Sequence, residues 1–120
     1  MDISQIIARM KESPDFNWKV GMILVHNGVV RGWSRKDGGQ VEWLEVTCDH
    51  AKIEALRQEY LKMDGIFDIV IDARSGRLHV GDDLMFILVS GDIRENVIPA
   101  LSGLLDRIKA EAIYKREVNR

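Results

Sequence analysis

Apolar positions along the chain follow two rhythms, and the switch between them outlines the elements. Ile3, Ile6, Ile7 and Met10 recur at helical spacing over residues 2–12, with Asp2 or Ser4 as cap. "SPD" at 13–15 ends that helix. Residues 19–31, "KVGMILVHNGVVR", are rich in β-branched side chains and predict a strand bent at Gly28. "SRKDGG", 34–39, is a polar turn. "QVEWLEVTC", 40–48, alternates and predicts the returning strand. Residues 19–48 together predict a long β-hairpin.

The helical rhythm returns over 50–63, where Asp49 is the cap, Ile53, Leu56, Tyr60 and Leu61 share a face, and Gly65 closes the helix. Residues 66–76 predict a strand, and 77–83 a short extended piece followed by a Gly-Asp turn. "LMFILVSG", 84–91, is continuously apolar, as in a strand covered on both faces. A last helix starts at Asp92 or Asn96 and carries Val97, Leu101, Leu104, Leu105, Ile108 and Ala112 on one stripe. Pro99 places its fully bonded part close to Asn96. The order of elements predicts an α+β fold, an antiparallel or mixed sheet with helices packed on one side.

Composition adds limits. The 120 residues fit one domain, 1–120, long enough to bury roughly two-thirds of the unfolded surface. The net charge of −2 argues against a generally basic nucleic-acid binder, and no apolar run approaches a membrane span. One cysteine, Cys48, fits a reducing compartment, so the cytoplasm is the expected location. His26, His50 and His79 lie far apart in sequence and Cys48 has no nearby thiol, so neither metal nor cofactor is expected. No nucleophile elbow or phosphate loop is present.

The candidate chemistry is cationic. Residues 106–120 hold five basic groups (Arg107, Lys109, Lys115, Arg116, Arg120) against three acids. Arg31 follows an apolar strand at a turn, and Arg94 sits in the first turn of the last helix, where a cation opposes the dipole. Continued as a helix, the chain would set Lys115 about 240° around the axis from Lys109. The two amines share a site only if the backbone changes course, and "AEAIY" has no Gly or Pro to force that. The residues leave two readings open: solvated surface charges, or convergence on one anion.

Four segments in order resemble the large, catalytic subunit of molybdopterin synthase: "MILVHNGVVR" (22–31), "RSGRLHVGD" (74–82), "FILVSGDIREN" (86–96) and "LLDRIKAEAIYKRE" (104–117). The resemblance implies an α/β hammerhead fold and the conversion of cyclic pyranopterin monophosphate into molybdopterin, whose dithiolene sulfurs come from a thiocarboxylate. That group ends the Gly-Gly tail of a small ubiquitin-like subunit, and the implied assembly is a homodimer within a heterotetramer. It also implies catalytic roles for Lys109 and Lys115, and substrate binding by Arg31 and by Arg94 from the neighbouring protomer. Ile93 and Ala73 stand where the family has histidines, and the family's proline between the two lysines is missing. These departures imply an alternative: a divergent, non-catalytic relative, a dimeric module that binds the ubiquitin-like partner or a phosphorylated ligand.

Overall fold

The computed structural model describes residues 2–119; Arg120, counted in the basic tail above, lies outside them. Ten elements follow in order: α1 (Ile3–Lys11), α2 (Phe16–Lys19), β1 (Met22–Val29), β2 (Val41–Cys48), α3 (His50–Leu61), β3 (Ile66–Ala73), β4 (Gly76–His79), β5 (Asp83–Gly91), α4 (Arg94–Glu111) and β6 (Ile113–Asn119). The class is α+β, as expected. The strands form two three-stranded sheets, ordered β1-β5-β3 and β4-β2-β6, and the pairs within them are antiparallel.

Local signals explain the helix starts. The Asp2 carboxylate accepts the Ser4 N–H at 2.8 Å, and Asp49 accepts that of Lys52 at 3.0 Å. The apolar run 84–91 becomes β5, the central strand of its sheet. Met85, Ile87 and Val89 face Val97, Leu101, Leu104 and Ile108 of α4, while Phe86 and Leu88 face Ile6, Met10 and Phe16. A strand apolar on both faces needs cover on both. Helices therefore pack on two sides of this sheet, with α1 and α2 opposite α3 and α4, and not on one side as the pattern predicted.

The predicted β-hairpin does not form. β1 pairs with β5, and β2 lies in the other sheet. The register of β1 shifts at Gly28/Val29, and its exit is tied to the 79–82 turn by Val30 N–H to Asp82 O (3.0 Å) and Gly81 N–H to Val30 O (2.9 Å). The intervening loop closes on itself through an isolated Trp33–Gln40 bridge. It is longer than the usual hairpin turn and turns the chain toward a second sheet. There Val41, Leu44 and Val46 are buried against β4, β6 and α4.

The decisive departure is at the end of α4. The helix stops at Glu111 without Gly or Pro. Ala112 takes φ −131° and ψ −8°, and its carbonyl accepts the Asp49 N–H at 2.8 Å. Ala112 and Ile113 are both buried, and residues 113–119 extend along β2, pairing Ile113 with Cys48 and Lys115 with Val46. An open strand edge and two buried apolar side chains outweigh the weak local preference for continuing the helix.

Candidate functional site

An open groove of about 510 Å³ lies where the 31–37 loop meets β6, lined in part by Arg31, Trp33, Ser34, Lys36, Lys115 and Glu117. The loop delivers Arg31 just past β1, and its guanidinium carbon sits 4.6 Å from the centre of the Trp33 ring. Ser34, only 6% exposed, donates its hydroxyl to Glu117 Oε1 at 3.2 Å and accepts the Lys36 N–H at 3.2 Å. This polar clasp holds the loop against β6. Period-two alternation along β6 sets Lys115 and Glu117 on one side of the strand. Arg116, between them, pairs with Glu45 at 2.6 Å, and Arg77 approaches the same carboxylate at 3.8 Å.

Charge is crowded here. The pKa of Lys115 is pulled below the ordinary lysine value, first by desolvation, then by the charges of Lys109, Arg31 and Arg35; Glu117 acts in the opposite direction. Part of the Lys115 side chain nevertheless remains open to solvent. Lys109, exposed on the last turn of α4, acts on a second group, His26 of β1. Burial and then the Lys109 charge lower the histidine's pKa, and its Nε2 is buried without a hydrogen-bond partner among the described residues. The lining cations Arg31, Lys36, Lys115 and Arg116 outnumber the lining acids Asp37 and Glu117, and such an excess favours an anionic ligand, which relieves the mutual repulsion.

The structure thus brings together three of the four predicted site residues. Arg31 and Lys115 line the groove, and Lys109 is close enough to perturb Lys115. Arg94 is not with them. It begins α4 while Lys109 ends it, a separation of about 22 Å at 1.5 Å per residue. Its side chain is 78% exposed and its partner is Glu95, at 3.3 Å. Sequence reasoning missed Trp33, Ser34 and Glu117 as groove residues, because "SRKDGG" reads as a polar turn, Trp33 lies just before it and Glu117 reads as a tail charge. His26 passed for an ordinary polar residue. An odd polar position in an otherwise apolar strand was the one available signal.

Fold and groove define an α+β protein with a cationic cleft at a strand–loop junction. The chain belongs to the MoaE protein family, whose model matches residues 1–111. That match stops before Lys115. The structure of molybdopterin synthase from Staphylococcus aureus is similar over the whole of this chain and 86% of its own, at 25% identity and a TM-score of 0.79. Molybdopterin cofactor biosynthesis protein E from Burkholderia multivorans shares the fold at 23% identity and a TM-score of 0.75, over all of this chain and 82% of its own. So does a protein–protein complex of subunits 1 and 2 of molybdopterin-converting factor from Helicobacter pylori, at 16% identity and a TM-score of 0.73, over all of this chain and 80% of that one. No curated protein matches the chain.

Proposed function

We propose that this protein acts in molybdenum cofactor biosynthesis as the catalytic, sulfur-transferring subunit of a molybdopterin synthase. The observation that carries the reading is the turn at Ala112, which brings Lys115 beside Arg31 and within electrostatic reach of Lys109 on a MoaE-family chain. The substrate, cyclic pyranopterin monophosphate, presents a phosphate to Arg31 and Lys115. The thiocarboxylate of a small ubiquitin-like sulfur carrier meets Lys109 through its Gly-Gly tail. The Helicobacter pylori two-subunit complex supports such a partner.

The chemistry suits this group of cations. Both ligands are anions, and oxyanions form as sulfur leaves the thiocarboxylate for the pterin side chain. Ammonium and guanidinium groups fixed beforehand stabilise that charge without reorganising. The lowered pKa of Lys115 also raises its share of neutral amine, the form able to act as base or nucleophile. Arg94 reaches this groove from a second copy of the chain, since its own end of α4 is remote. Ile93, 52% exposed, and Ile98, 49% exposed, flank it with apolar surface available to such a copy. The working assembly is a homodimer with one small subunit at each end, located in the cytoplasm; among the described residues no helix is long and apolar enough to cross a membrane.

The test mixes purified protein with thiocarboxylated small subunit and cyclic pyranopterin monophosphate and follows dithiolene product. Lys109→Ala abolishes turnover and keeps the fold; undiminished turnover in that variant refutes the assignment. Arg94→Ala and Lys109→Ala are each inactive alone. Co-refolded, they recover about a quarter of wild-type activity, because half the dimers are mixed and each mixed dimer holds one intact site. A strictly monomeric protein contradicts this arrangement. A second reading rests on Ile93 and Ala73, which stand where the resemblance places histidines. It is a non-catalytic dimer that binds the same carrier or a phosphorylated ligand, and it predicts binding without product.

A further inference from the structure

His26 is the one buried histidine atom that the fold does not explain. It stands on β1 opposite Ile87 of β5 and shares a strand face with Met22 and Leu24, which pack on the core beneath α4. Its Nε2 is buried and meets no partner among the described residues. A neutral imidazole carries one donor and one acceptor, and an unmet one costs free energy in the interior. The strand makes room for the ring: a Cβ at Gly28 would lie 3.2 Å from Nε2, tighter than ordinary contact. An apolar side chain of similar size would fill the space with no polar atom left over.

The surroundings single out one complement. From β5, uncharged Ile87 stands opposite His26 in the ladder. From α4 the charge acting on it is Lys109, and no carboxylate acts on it. Lys109 carries three N–H donors. Among the described residues it enters none of the ion pairs, which bind Lys19, Lys52, Arg57, Arg77, His79, Arg94, Arg107 and Arg116.

We propose that His26 is a positioning residue for Lys109: its Nε2 accepts one N–H of the lysine ammonium when an anion occupies the site, leaving the other two aimed at that anion. The proton of the neutral ring then resides on Nδ1. Burial and the neighbouring ammonium both hold the imidazole neutral at pH 7, so the acceptor is available. Below the lowered pKa of His26, itself under 6.5, the acceptor is lost and an imidazolium stands beside the ammonium. The direction is therefore loss of Lys109 alignment as pH falls. This inference rests on the functional reading in taking Lys109 as the working lysine.

The experiment compares wild type, His26→Phe and His26→Gln between pH 5 and 8, as whole protein with its small subunit. His26→Phe keeps the fold and lowers kcat by roughly tenfold with little change in KM, the mark of an interaction that matters in the transition state. His26→Gln, whose Oε1 offers an acceptor, recovers most of the rate and no longer shows the acid limb seen in wild type. A second readout does not need turnover: the ¹⁵Nζ resonance of Lys109, in protein loaded with thiocarboxylated small subunit, shifts as His26 titrates in wild type and stays flat in His26→Phe. An unaltered rate and acid limb in His26→Phe overturns the proposal, as does a wild-type Lys109 resonance without inflection below pH 6.5. If wild type forms no product yet the resonance follows His26, the catalytic reading fails and the His26–Lys109 pairing stands.

Discussion

The two sheets of this protein divide their labour. β5, in the middle of the first sheet, has neighbours on both edges and apolar cover on both faces; Ile87, Leu88 and Val89 are wholly buried. The second sheet buries Leu44 and Val46 on one side, while Glu45 on the other bridges Arg77 and Arg116. Its β6 edge and the loop clasped to it carry the charged groove. Burial of apolar side chains is concentrated in the first sheet, where Ser90 is the one fully buried polar residue among the described residues. Positive charge is gathered where solvent can reach it, and there like charges are held closer than stability alone would favour.

Substitutions that separate these regions test the division. Beside the groove, Lys109→Ala abolishes measurable turnover, a loss of at least about 10²–10³-fold, the scale of losing a fixed donor to a developing oxyanion, with an unchanged melting temperature. In the first sheet, Ile87→Ala, at a fully buried position, costs about 2–5 kcal/mol in chemical denaturation, while the protein that remains folded keeps its kcat. A destabilised Lys109→Ala or a catalytically dead, stable Ile87→Ala would erase the distinction. Trp33→Ala is milder. Trp33 is 54% exposed and orients Arg31, so its loss weakens phosphate binding about two- to fivefold by calorimetry, with little effect on stability.

The smallest effect is electrostatic. Because folding lowers the pKa of Lys115, the unfolded chain binds more protons between that lowered value and 10.5. Stability accordingly rises with pH through that window. Lys115→Met flattens this part of the pH–stability curve, measured by urea denaturation at several alkaline pH values. Saturating phosphate has a related effect at neutral pH: it neutralises the cluster and raises the melting temperature of wild type more than that of Lys115→Met.

Much of the first sheet was legible in the chain. The continuous run 84–91 announced a strand covered twice, Asp49 marked a helix start by its own chemistry, and of the two candidates Asp2 and Ser4 it is Asp2 that caps the first helix. The hairpin failed as an expectation because two strands adjacent in sequence do not state which edge each will take. The groove was half legible. Arg31, Lys109 and Lys115 stood out as cations, whereas Ser34 and Glu117 matter only through a loop-to-strand clasp between residues 83 positions apart, and Trp33 only through its ring beside Arg31.

The sequence alone determined where the chain is helical or extended for most of its length, and which faces are apolar, because periodicity and capping act within a few residues. Tertiary structure alone decided that the chain turns at Ala112 and that Lys115 comes to rest beside Arg31. That choice depends on the free edge of β2 and the burial of Ile113, contacts between distant residues whose combined free energy overrides a weak local preference.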